Sequence, residues 1–116
     1  MIYRKASKVV DRYSPLCDWG TFSRYLEIED DSYAVRQVDL FENGYALRYD
    51  RGNWIDGCRS LAEMKYDEAK WAAWWGPDEA IAAVEFEAVW DSAVQAPNQP
   101  QEYEDIPWPI SRKLGE

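Results

Sequence analysis

The stretch AVRQVDLFENGYALRYD, residues 34–50, reads as two β-strands folded about Asn43-Gly44. Both turn residues tolerate positive φ, so a two-residue type I′ loop is the expected closure. That loop pairs Glu42 with Tyr45, Leu40 with Leu47 and Val38 with Tyr49 on one apolar face. The other face then pairs Phe41 with Ala46 and sets Asp39 opposite Arg48, a charge-complementary cross-strand pair. Side chains alternate along a strand, so a slip of one residue would exchange the two faces.

Upstream, RYLEIE (24–29) alternates Leu26 and Ile28 against Tyr25, Glu27 and Glu29, and reads as a strand joined to the hairpin through DDS. The N-terminal IYRKASKVV alternates more weakly and supplies a possible fourth strand. Downstream, DRGNWIDG is turn-rich, and helical signals follow it. Ser60 and Glu63 have capping-box spacing, Asp67 and Glu68 suit a first turn, and Gly76-Pro77 is a stop. A second helix is expected from Pro77 or Asp78 to about Val94, with Ala82, Phe86, Val89, Trp90 and Ala93 on its inward stripe. The fold expected is therefore α+β, an antiparallel sheet of three or four strands with two helices packed on one face. It occupies residues 1–95 as a single domain. Residues 96–116, with prolines at 97, 100, 107 and 109, are expected to form an extended tail.

The first of those helices carries three tryptophans within KWAAWWG (70–76). At about 100° per residue, Trp71 and Trp75 share one face, and Trp74 lies to the other side of Trp71, close to Asp67. Alanines coat much of the remaining girth, which is the composition of a buried helix. Trp71 and Trp75 are accordingly assigned to the core, and Trp74 is the candidate for an exposed anchor.

Charge is unevenly spread along the chain. Residues 1–24 are net +3, whereas residues 67–105 hold one lysine against ten carboxylates. Such a segment is either an ordinary solvated face or a docking surface for a basic partner. Phosphates would be repelled, so direct nucleic-acid binding is not expected. No run of about 18 apolar residues is present, and no membrane span is expected. The opening MIYRKASKVVDRYSP lacks the apolar core and cleavage site of an export signal. Cys17 and Cys58 are therefore expected as reduced thiols in the cytoplasm.

Few elements of catalysis appear. The chain has no histidine, no phosphate-binding glycine loop, no nucleophile elbow and no zinc spacing. Glu27, Glu29, Asp30 and Asp31 form a dense carboxylate cluster without the EF-hand pattern, and solvated strand-end acids account for it. No catalytic residue, metal ligand or cofactor is assigned.

At RYLEIEDDSYAVRQVDLFENG the sequence resembles a small bacterial domain family of unknown function. Its pattern matches Tyr25, Glu27, Ile28, Asp30, Tyr33, Val35, Arg36, Val38, Phe41 and Gly44. The family's closing helix, I-x-x-x-E-F-E-x-x-W, matches Ile81, Glu85, Phe86, Glu87 and Trp90. The resemblance spans about residues 24–94, and the tryptophan helix and the tail depart from it. Similar domains sit beside polymorphic toxin loci, which implies an immunity-protein-like role.

Together these readings favour an acidic interaction protein that neutralises a nucleic-acid-processing protein, such as a nuclease, by occupying its basic surface. An immunity protein and a phage-encoded anti-CRISPR-type inhibitor are the two forms of that reading. The residues expected to touch the partner are Asp67, Glu68, Trp74, Asp78 and Glu79, with Glu102, Glu104, Asp105 and Trp108 from the tail. The alternative is a non-catalytic structural or small-ligand-binding module with an apolar cavity between sheet and helices. A carboxylate-dependent hydrolase ranks behind both.

Overall fold

Gly44 adopts φ +94°, and its amide donates to the Phe41 carbonyl at 2.9 Å. In the computed structural model, which describes residues 1–9, 21–30, 32–42, 44, 46–52 and 61–93, this turn decides the hairpin register. It closes β3 (Ala34–Phe41) onto β4 (Ala46–Asp50). The pairs are Leu40 with Ala46, Asp39 with Leu47, Val38 with Arg48 and Gln37 with Tyr49. This is one residue away from the two-residue-loop register. A turn spanning Phe41 to Gly44 with a positive-φ final residue fits the three-residue hairpin loop, in which glycine is favoured by its backbone freedom. The slip moves Leu47 and Tyr49 to the face of Asp39 and Phe41, leaving Val38 and Leu40 with Ala46 and Arg48. The expected Asp39–Arg48 pair does not form.

Five antiparallel strands make up the sheet, in the order β4-β3-β2-β1-β5, with β1 at Ile2–Val9, β2 at Phe22–Ile28 and β5 at Asp78–Ala80. The weakly alternating N-terminus is thus a full strand. Strand β5 was concealed within the expected second helix. Gly76, at φ +89°, ends α1 (Glu68–Trp75), and the chain then runs extended against Arg4, Lys5 and Ala6 of β1. Helix α2 (Ala83–Ser92) starts only after that pairing.

The two helices do not share a face of the sheet. Trp71 of α1 packs with Phe22, Leu26, Phe41, Leu47 and Tyr49, whereas Phe86 of α2 packs with Tyr25, Val38 and Ala46. Tyr25 alternates with Leu26, and Val38 opposes Tyr25 across the sheet, so these clusters lie on opposite faces. Both faces carry large apolar residues, and each requires a cover. No described helix is long and apolar enough to cross a membrane.

Each face also carries an arginine held by a carboxylate directly across the β2–β3 ladder. On the α1 face, Arg24 donates to Asp39 from Nε at 2.9 Å and Nη2 at 3.1 Å, and both residues are buried. The Arg24 guanidinium also lies over Phe22 and, at 4.6 Å, over Trp75. On the α2 face, Arg36 donates to Glu27 at 2.6 and 2.9 Å and reaches Glu87 of α2 with both terminal nitrogens. Its guanidinium lies over the Phe86 and Trp90 rings at 5.0 and 4.9 Å. Tyr3 adds a hydroxyl hydrogen bond to Glu27 at 2.9 Å.

Asp39→Asn keeps the shape of the side chain but leaves a buried guanidinium without its counter-charge. It should cost about 3–5 kcal/mol, read as a lowered urea midpoint at unchanged slope. On the other face, the hydrogen bonds from Arg36 hold the Glu27 carboxyl below its usual pKa, with Tyr3 assisting. A lowered folded-state pKa contributes stability at neutral pH that disappears as pH falls below the ordinary glutamate value of about 4.3. Glu27→Gln should therefore lower stability at pH 7, with the difference from wild type narrowing on acidification below about pH 4. A difference that stays constant across that range would contradict the assignment.

Candidate functional site

Asp67 creates the local structure on which the exposed tryptophan stands. Its extended backbone precedes α1, and its carboxylate accepts the Lys70 amide at 3.0 Å, capping an otherwise unsatisfied N–H. From that start, the 3.6-residue period turns Trp71 inward, with only 1% of its surface exposed. Tyr66 meets Trp71 edge-on at 5.0 Å, and Trp75 meets it at 4.8 Å. Trp75 is half-buried above Arg24. Trp74 stands beside Trp75 at 6.2 Å with half of its surface in solvent. The inward and outward assignments of the three indoles agree with the sequence arithmetic.

A second cluster fixes α1 against the sheet edge. Arg4 donates to Asp78 from Nε at 2.8 Å and from Nη2 at 2.5 Å, and extends Nη2 to Glu68 at 3.2 Å. The Tyr66 hydroxyl donates to both Asp78 oxygens at 3.1 and 3.2 Å. Burial, together with the adjacent Asp78 carboxylate, pushes Tyr66 up to about 12, so the phenol remains a donor at any physiological pH. Burial is the largest influence on Arg4 and opposes its charge, but the Asp78 hydrogen bond and the Asp78, Tyr66 and Glu68 charges together outweigh it and the Arg4 pKa rises. The cluster ties strand β5, the Tyr66 approach and the first turn of α1 into one unit.

The expected partner-binding set consequently divides. Asp67, Glu68 and Trp74 are exposed along α1. Asp78 is not available to a partner, because its side chain is 2% exposed and its oxygens are occupied by Arg4 and Tyr66. Glu79 is exposed but pairs in register with Lys5, on the opposite face of the sheet from Asp78. Adjacent strand residues point to opposite faces, whereas a helix would have left these two carboxylates side by side. Glu102, Glu104, Asp105 and Trp108 lie outside the described residues, as do Cys17, Cys58, Ser60 and the tail.

The chain matches no known protein-family model, no curated protein and no solved structure. These comparisons do not support the expected bacterial-domain resemblance, but several of the residues it was read from converge. Glu27 and Arg36 from its first pattern meet Phe86, Glu87 and Trp90 from its closing helix in the clamp that holds α2. These residues therefore hold α2 to the sheet. Their signal in the sequence was an arginine and a glutamate at inward positions of apolar strands, which is costly unless paired. Arg24, Arg48 and Asp39 carry the same signal outside the pattern.

Among the described residues, clefts of about 330 and 300 Å³ open on the surface. The first is lined by Tyr33, Ala34, Arg51, Leu61, Ala62 and Glu63. Neither is lined by a residue of α1 or α2, so neither is the sheet–helix cavity expected of a small-ligand module.

The geometry separates two roles for neighbouring tryptophans. Trp71→Ala should cost about 3–5 kcal/mol by cavity formation. Trp74→Ala should leave stability within about 0.5 kcal/mol of wild type. Chemical denaturation of both variants checks this, and a Trp74→Ala loss comparable to that of Trp71→Ala would contradict the exposed placement.

Proposed function

We propose that this protein is an acidic, non-catalytic interaction module that neutralises a nucleic-acid-processing protein by covering its basic surface. An immunity protein or an anti-CRISPR-type inhibitor acts in this manner. The observation that carries the reading is Trp74, an indole half-exposed on a helix that is held rigidly from beneath by Trp75, Trp71 and Arg24. Such a side chain supplies contact area with little further loss of freedom, as interface anchors do. Beside it Asp67 and Glu68 are exposed carboxylates against one lysine, Lys70, and further along the segment Glu79, Glu85 and Asp91 are exposed on the other side of the sheet.

An acidic surface of this kind steers a basic partner over distances of about one Debye length and discriminates against phosphate-rich competitors. The aromatic anchor then supplies contact that salt does not screen.

The test is affinity capture from the native host with the full chain. A basic nucleic-acid-processing protein should be retained at about 50 mM salt and released at about 1 M, where the Debye length falls to about 3 Å. Asp67→Asn with Glu68→Gln keeps the helix cap while removing two charges. It should weaken capture, and Trp74→Ala should weaken it further. Asp78 is left intact because its carboxylate serves the fold. Capture that is indifferent to salt and to both variants would reject the proposal.

A further inference from the structure

We infer that the partner contacts Trp74 through an arginine, whose guanidinium stacks on the open indole face and donates to a carbonyl in the last turn of α1. This deepens the reading above and rests on it. Within the molecule, arginine and aromatic ring recur as a pair. Arg4 lies over Tyr66, Arg24 over Trp75, and Arg36 and Arg48 over Trp90.

The pairing at the end of α2 supplies the geometry. Trp90 stands in the last turn of that helix, and α2 has no basic residue of its own there. Arg48 comes from the sheet to fill the place. Its guanidinium lies 4.8 Å from the Trp90 ring, and its Nη1 donates to the Trp90 carbonyl at 3.1 Å. One planar cation thus satisfies both the ring face and the partial negative charge at a helix C-terminus.

At the end of α1, Trp75 has its cation in Arg24, and the neighbouring Trp74 has none among the described residues. Trp74 lies in the last turn, which again contains no basic residue. Lys70, one turn earlier, is solvent-exposed, and Arg24 is committed beneath Trp75. Trp74 is therefore an aromatic acceptor beside a helix terminus with no basic residue of its own, on an acidic segment. A guanidinium fits this better than an ammonium. It is planar enough to stack, has N–H groups left to donate in the ring plane, and sheds water more readily.

The experiment compares hexa-arginine and hexa-lysine peptides, which carry equal charge, as probes of the full chain at low salt. Nuclear magnetic resonance follows the Trp74 indole N–H, assigned by its loss in Trp74→Phe. Hexa-arginine should bind roughly two- to fivefold more tightly than hexa-lysine, the range expected of an exposed cation–π contact. It should also shift the Trp74 signal. Trp74→Leu, which keeps apolar bulk but removes the π face, should abolish the preference by weakening hexa-arginine more than hexa-lysine. Equal binding of the two peptides, or an arginine preference that survives Trp74→Leu, would overturn the inference and leave the basic-partner reading standing. Absence of binding by either peptide would overturn the reading itself.

Discussion

Two charge pairs set the β2–β3 ladder, and both helices depend on them. Arg24 opposes Asp39 on one face, and Glu27 opposes Arg36 on the other. A one-residue slip would bring Arg24 opposite an apolar neighbour and leave a buried charge unmatched, at a cost of several kcal/mol. Each guanidinium also provides a flat surface on which a helix rests its aromatics, Trp75 of α1 on Arg24 and Phe86 and Trp90 of α2 on Arg36. Replacing such a buried pair by apolar residues need not reduce stability. Its contribution is to select one register and one helix placement.

Several elements could be read directly from residue order. The alternation in RYLEIE, the glycine turn of the hairpin, the acidic helix start at Asp67 and Glu68 and the Gly76 stop all operate over a few residues, and all are present. The division between inward Trp71 and outward Trp74 followed from helical period alone. What escaped was set by distant partners. The hairpin register could not be fixed by hydrophobic pattern, because Val38 and Leu40 face one helix while Leu47 and Tyr49 face the other. With both faces covered, either register buries apolar side chains.

Strand β5 illustrates the same limit more sharply. Asp-Glu-Ala is a poor strand sequence, and its neighbours favour a helix. It is extended because Arg4, more than seventy positions earlier, grips Asp78. That single contact also separated Asp78 from Glu79 and divided the candidate site. The buried arginines were visible as residues but not as a system, since their aromatic partners come from helices that follow much later in the chain.

Strand β5 is also where the chain changes sides. Helix α1 precedes it on one face, and α2 follows it on the other, with the whole sheet between them. The sheet isolates them as a rigid plate isolates its two surfaces. Substitutions on the outer turn of α1 have no shared neighbours with the clamp around Arg36, so their energetic effects should add independently. The molecule thus has one surface, the outer turn of α1, that can change in sequence without disturbing the clamp on α2. The Arg36 clamp that holds α2 lies behind the sheet, outside the reach of such changes.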